Sequence, residues 1–203
     1  MLVELLKLIE KNYELVEIPT NEFTNLKVSG MKFEIKAYDV LGLGRVSLMK
    51  AKGFFGLMKM DTLMITPTDK DLPLLSYDRI NAMGNDTLII ELYDTMLNNC
   101  DLKPLRIIKN KYNDLKDHDL GSHWYDSIKF KESVSKKGKK NEFESYNQLA
   151  KEYVEKYLSL SIDNMSNKEE KNSKSKIYVE GLLNNGGPST SIFQKNIGKE
   201  RHG

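Results

Sequence analysis

Residues 59–94, KMDTLMITPTDKDLPLLSYDRINAMGNDTLIIELYD, predict consecutive strands joined by short turns. Apolar and β-branched residues dominate each run, and Pro, Gly, Asn and Asp separate the runs. The same pattern extends toward the N-terminus, so the predicted strands are 31–40, 45–52, 57–66, 74–82 and 86–93. Connections this short join antiparallel neighbours. We therefore expect an antiparallel sheet between residues 31 and 94.

Two carboxylates, Asp61 and Asp78, lie inside otherwise apolar strands of this sheet. If the connection turns symmetrically about Asp69 and Lys70, they lie directly opposite each other on one face, with Cβ atoms roughly 5 Å apart. Two carboxylates that close in apolar surroundings do not both ionise readily, so one would hold a proton near neutral pH. The pair is a candidate proton donor. With a register shift of one residue the two point to opposite faces and no pair forms. The structural alternative is that each Asp caps a bulge or pairs with Lys59 or Arg79 on a solvated face.

Helical periodicity precedes and follows the strands. The predicted helices are 2–16, 104–116, 142–160 and a short one after Pro188. The polar tract 163–176 predicts a loop or the frayed start of the next helix. We expect a single domain over 1–203, with strands over 31–94 and a mainly helical part over 104–198. The expected fold is of the α/β (α+β) class, an α/β/α sandwich with a central antiparallel sheet flanked by helices on both faces.

Composition argues against several classes of function. The net charge of +2 over 203 residues argues against a general nucleic-acid binder. The lone cysteine, Cys100, and the three histidines lack the spacing of a zinc or iron-sulfur site. No run of about 18 apolar residues is present, so no membrane span is expected. We expect a cytoplasmic, metal-free protein.

Several short motifs lie in and beyond the strands. In chain order they are Asp71-Leu72-Pro73, Tyr77-Asp78, Gly84, Leu92-Tyr93-Asp94, His123-Trp124-Tyr125-Asp126-Ser127-Ile128, and Ile192-Phe193 through Ile197-Gly198. Together they resemble the ferredoxin-dependent bilin reductases, a family related to the red chlorophyll catabolite reductases. The resemblance runs with gaps over residues 31–198.

The resemblance implies that the protein reduces a linear tetrapyrrole, such as the bilin biliverdin, without a bound cofactor. Reduced ferredoxin would deliver single electrons in a radical mechanism, and a strand carboxylate would supply protons. Asp78 matches that carboxylate. Asp61 matches the position where related enzymes place a His or another polar residue beside it. His123 is the third candidate for proton transfer.

A bilin also carries two propionates, which need cations or an anion-binding helix end. The candidate substrate-binding residues are Arg45, Lys50, Lys52, Ser76, Gly187 and Ser189. The first three are strand cations, Ser76 shares the side of Asp78, and the last two flank the expected helix start at Pro188. The run Lys136-Lys137-Gly138-Lys139-Lys140 is either a solvated loop or part of a docking surface for an acidic ferredoxin.

The segment Asn184-Asn185-Gly186-Gly187-Pro188 departs from the family pattern, because several members carry an Asn or Asp facing the substrate here. Because of this departure, the sequence does not predict which double bond of the bilin is reduced. It also keeps open a second function, that of a non-catalytic tetrapyrrole-binding or carrier protein. A third possibility is a cleft that holds some other flat apolar ligand.

Overall fold

The computed structural model describes residues 1–28, 30–53, 56–139, 142–162, 165 and 167–187. The strands are β1 (Leu15–Ile18), β2 (Asn25–Val28), β3 (Met31–Val40), β4 (Gly44–Gly53), β5 (Met58–Pro67), β6 (Leu74–Ala82), β7 (Asn85–Tyr93) and β8 (Val134–Lys139). The α-helices are α1 (Leu2–Glu10), α2 (Lys103–Lys111), α3 (Phe143–Leu158) and α4 (Lys168–Asn185).

The strands form one antiparallel sheet in the order β1-β3-β4-β5-β6-β7-β8, with β2 also paired to β3. The five strands predicted between residues 31 and 94 are confirmed, each end to within one residue. The sequence pattern does not predict β1, β2 or β8. The last of these lies in the part expected to be mainly helical.

The predicted helix over residues 2–16 is too long. α1 ends at Glu10, and Leu15–Ile18 pairs with residues 37–40 of β3. Pairing along the edge of β3 satisfies backbone groups there, and β-branched Val16 and Ile18 suit a strand. Tertiary pairing thus overrides the apolar periodicity that extends to Tyr13.

The later helices agree better with the sequence. α2 covers the first part of the predicted 104–116, and α3 covers nearly all of 142–160. α4 begins inside the polar tract 163–176, where the Asn167 side chain accepts hydrogen bonds from the backbone N–H groups of Glu169 and Glu170. The helix predicted after Pro188 lies outside the described residues.

Alternation along the strands gives the sheet two faces. One, called here the α3 face, carries Leu63 and Tyr77 and packs against α1, α2 and α3 in the main hydrophobic core. The other, called the α4 face, carries Leu74 and Tyr93, which contact Tyr178 of α4. Helices cover both faces, so the predicted α/β/α sandwich is confirmed.

A buried ion pair joins β6 to β7 on the α3 face. The side chains of Arg79 and Asp86 are 3% and 0% exposed. Arg79 Nε donates to Asp86 Oδ1 at 2.6 Å, and Nη2 donates to Oδ2. The guanidinium carbon lies 4.8 Å from the centre of the Tyr146 ring. This two-point pairing and the aromatic contact offset the cost of removing both charges from water.

α4 is fixed to the rest of the protein near both ends. Lys171 is fully buried, and its Nζ donates to the carbonyl oxygens of Leu72 at 2.5 Å and Thr95 at 2.9 Å. Burial lowers the pKa of Lys171 to about 8. Further along, Gly181 makes room for the Trp124 ring, because a Cβ at this position would lie 2.4 Å from the indole.

Asp86→Asn should lower the free energy of unfolding by about 3 to 5 kcal/mol, because it leaves the Arg79 charge buried without its partner. Denaturant unfolding followed by the fluorescence of the single tryptophan measures the change. The matched control is Asp39→Asn, which breaks the exposed ion pair with Arg45 and should cost less than about 1 kcal/mol. Equal losses in the two variants would contradict the structural role of the buried pair.

Candidate functional site

Asp78 lies in the middle of β6 on the α4 face and is 1% exposed. Thr62 is directly opposite on β5, and its hydroxyl donates to Asp78 Oδ1 at 2.6 Å. Ser76 and Ile80 flank Asp78 on the same face, and both are buried. A carboxyl group buried in a central strand is costly to keep, so this position is typical of a functional group.

The predicted pairing of Asp61 with Asp78 is wrong. The register of β5 and β6 differs by one residue from the symmetric turn, so Asp61 lies opposite Arg79. Side chains alternate along a strand, and the shift places Asp61 on the α3 face. Burial raises the pKa of Asp61, and the positive charges of the N-terminus, Lys50 and Arg79 oppose the rise. Asp61 does not share a site with Asp78.

The three strand cations also divide between the faces. Lys50 lies opposite Asp61, and Lys52 lies opposite Lys59, so both are on the α3 face. Arg45 is on the α4 face, where its Nε donates to Asp39 Oδ1 at 3.2 Å. Of the three candidates for binding a propionate, the fold places only Arg45 on the face of Asp78.

A cleft of about 770 Å³ lies between this face of the sheet and α4. Its lining includes Arg45, Ser47 and Met64 from the strands, and Lys176 and Val179 from α4. Met64 is two residues from Thr62, the side chain bonded to Asp78, so the floor of the cleft and Asp78 share one face. A cleft of this size between a sheet and a helix can hold a small ligand. Asp78 and Thr62 are not among the residues that line it.

Glu91 is a second buried carboxylate on the α4 face, and the sequence prediction missed it. It is 2% exposed and lies on β7, directly opposite Ser76. The Tyr93 hydroxyl donates to Glu91 Oε2 at 2.5 Å, and Lys129 Nζ is 3.4 Å from Oε1. Burial raises the pKa of Glu91, while Tyr93 and Lys129 oppose the rise. The signal was present, since Glu91 interrupts the apolar strand LIIELY as the two Asp residues interrupt theirs.

His123 belongs to the surroundings of Glu91. Its ring stacks on Tyr125 with a centroid distance of 4.9 Å and an interplanar angle of 9°. A positive charge on His123 lowers the pKa of Glu91. Its Nδ1 is buried and has no hydrogen-bond partner within the described part of the chain. The fold therefore places His123 beside Tyr125 and Glu91.

Gly187 follows α4 and is buried, and a Cβ at this position would lie 2.4 Å from Leu182 Cδ1. The neighbouring Gly186 accepts a hydrogen bond from Trp124 Nε1 at 2.9 Å. This end of α4 is thus closely packed. Ser189 lies outside the described residues.

The basic run after Val134 is not uniformly a surface feature. Lys136 is 2% exposed, and its Nζ donates to the Leu115 carbonyl at 2.9 Å and pairs with Asp117 at 2.8 Å. Lys137 and Lys139 are exposed, whereas Lys140 lies outside the described residues. Lys136 stabilises the fold and is not available for docking.

Two negative findings apply to residues 1–28, 30–53, 56–139, 142–162, 165 and 167–187. None of their helices is long and apolar enough to cross a membrane. No group of three or more His, Cys, Asp or Glu side chains among them is arranged to hold a metal ion.

Comparison with known proteins finds similarity only at the level of structure. No protein-family model matches the sequence, and no curated protein matches it significantly. Solved structures do match, among them the phytochromobilin synthase from tomato in complex with biliverdin. The superposition has a TM-score of 0.66 and covers 85% of this chain and 67% of that chain, at 10% sequence identity. The chain therefore shares the fold of an enzyme whose structure contains a linear tetrapyrrole.

Proposed function

We propose that this protein binds a linear tetrapyrrole between the α4 face and α4, and reduces it with electrons from reduced ferredoxin. The observation that carries the proposal is the buried Asp78 at the centre of that face. Two likenesses support it. The sequence motifs resemble the ferredoxin-dependent bilin reductases, and the fold is that of a member of this family.

The cleft beside α4 suits a flat ligand with charged substituents. Met64 makes its strand side partly apolar, and Arg45 and Lys176 contribute positive charges to its lining. Arg45 is exposed and pairs with the exposed Asp39, so a propionate can replace that partner at little cost. Lys50 and Lys52 have no part in this proposal, because they lie on the α3 face.

Reduction of one double bond takes up two electrons and two protons. Ferredoxin gives one electron at a time, so the first electron leaves a bilin radical. Protonated Asp78 hydrogen-bonds a pyrrole nitrogen or a lactam oxygen and gives its proton to that radical. Thr62 donates a hydrogen bond to Asp78 Oδ1, which helps to fix the orientation of the carboxyl group. A second electron and a second proton complete the reduction.

Asp78→Asn should bind biliverdin with unchanged affinity but turn over about a hundredfold to ten-thousandfold more slowly, because the amide cannot give up a proton. The rate of biliverdin loss in anaerobic assays with reduced ferredoxin measures the effect. Asp61→Asn is the matched control and should keep the wild-type rate, because Asp61 lies on the other face. An unchanged rate in Asp78→Asn would remove Asp78 from the mechanism.

The function itself is tested by adding biliverdin to the protein without oxygen, recording the absorption spectrum, and then supplying ferredoxin with a reducing system. We expect a spectral shift on binding, followed by conversion to a blue-shifted product. A shift without conversion would favour the carrier function, which the glycine at position 187 makes the main rival. No shift would contradict tetrapyrrole binding.

A further inference from the structure

A second carboxylate stands near Asp78 on the α4 face. In the register of β6 and β7, Asp78 is opposite Ile89, and Ser76 is opposite Glu91. Glu91 is therefore the diagonal neighbour of Asp78, and diagonal positions in an antiparallel pair lie about 7 to 8 Å apart. Ser76 adjoins both carboxylates, since it faces Glu91 directly and is two residues before Asp78. All three side chains are at most 3% exposed.

The contacts of Glu91 suit a group that exchanges protons. Burial raises its pKa, so it keeps a proton at higher pH than an exposed glutamate does. The Tyr93 hydroxyl bonds one carboxyl oxygen, and Lys129 pairs more loosely with the other at 3.4 Å. The looser contact allows the charge of this carboxyl group to change without breaking a close ion pair.

Glu91 also borders a route to solvent. It lines an open pocket of about 270 Å³ between β8 and the segment that precedes it in the chain. The other polar side chains of this pocket are Lys109, His118, Asp119, Lys129, Lys131, Ser133 and Ser135. Water in such a polar pocket can deliver protons to Glu91, whereas Asp78 does not line this pocket.

We infer that Glu91 is a positioning residue that returns protons to Asp78 through the hydroxyl of Ser76. The inference rests on the proposed function and extends it to the supply of the second proton. After Asp78 protonates the one-electron-reduced bilin, its carboxylate accepts the Ser76 proton, and Ser76 takes one from Glu91. The Glu91 carboxylate then takes up a proton from solvent through the water in the pocket. Ferredoxin supplies both electrons, and solvent supplies both protons by way of the two carboxyl groups.

Glu91→Gln keeps the shape of the side chain but cannot pass a proton. We expect it to bind biliverdin as the wild type does, to accumulate the bilin radical after the first electron, and to turn over about a hundredfold more slowly. Electron paramagnetic resonance follows the radical. Ser76→Ala should show the same accumulation, and Glu91→Asp should recover much of the rate. Wild-type turnover without radical accumulation in Glu91→Gln would overturn the inference.

Glu132→Gln is the matched control. Glu132 is 3% exposed and bonded to Arg106 of α2, which packs on the α3 face, whereas Asp78 is on the α4 face. Its replacement removes a buried carboxylate of the same length and should leave the rate and the radical signal unchanged. An equal slowing in both variants would show general damage to the fold and would count against a specific role for Glu91.

A second readout does not depend on turnover. In the ligand-free protein, carboxyl ¹³C resonances report the titrations of Asp78 and Glu91 separately. Whichever carboxyl ionises at the higher pH should titrate about one pH unit lower when the other is replaced by its amide, because a nearby negative charge is removed. Glu132→Gln should move neither midpoint. If neither Glu91→Gln nor Asp78→Asn moves the other midpoint, the coupling is absent.

The pKa of Glu91 also depends on the other titratable and charged groups around it in the described part of the chain. These are Tyr93 on β7, Asp78 on β6, His123, Tyr125 and Lys129 in the segment before β8, Tyr178 on α4, and Lys109, His118, Asp119 and Lys131 across the pocket. If the wild-type protein binds biliverdin without reducing it, the proposed reductase function is contradicted, but the coupling of Glu91 to Asp78 is not. In that case the titration still decides whether Glu91 and Asp78 are electrostatically coupled, as groups this close should be.

Discussion

The register between β5 and β6 is the constraint on which the candidate site depends. Successive side chains of a strand point to opposite faces of the sheet, so a register shift of one residue moves every side chain of that strand to the other face. Here the register places Thr62 beside Asp78 and sends Asp61 to join Arg79 on the α3 face. The buried pair of Arg79 and Asp86 lies on that face and helps to hold β6 and β7 in register with each other.

The two faces of the sheet consequently have different roles. The α3 face packs against three helices and contains most of the hydrophobic core. The α4 face carries fewer apolar contacts and keeps Asp78, Ser76 and Glu91 out of water beneath or beside α4. Its covering helix is held by the buried Lys171 at one end and by Trp124 at the other. Most of the hydrophobic core and the candidate site thus lie on opposite sides of one sheet.

The sequence predicts much of the sheet because its strands are long and separated by turn residues. The register between β5 and β6 depends instead on the conformation of the six-residue connection between them. That conformation shifted the partner of Asp78 by a single position. The predicted helix 2–16 extends past the true end of α1 at Glu10, because pairing of β1 with β3 outweighs the helical periodicity of the sequence. Glu91 could have been found, since it breaks an apolar strand as Asp78 does, but its partners Lys129 and Tyr93 come together only in the fold.

A crystal structure of the protein with biliverdin would test the central claim most directly, because it shows which face the tetrapyrrole occupies. The account predicts the bilin between the sheet and α4, with a pyrrole nitrogen or lactam oxygen within about 3 Å of an Asp78 carboxyl oxygen. A bilin bound on the α3 face, at the outer edge of β8, or out of reach of Asp78 would contradict it.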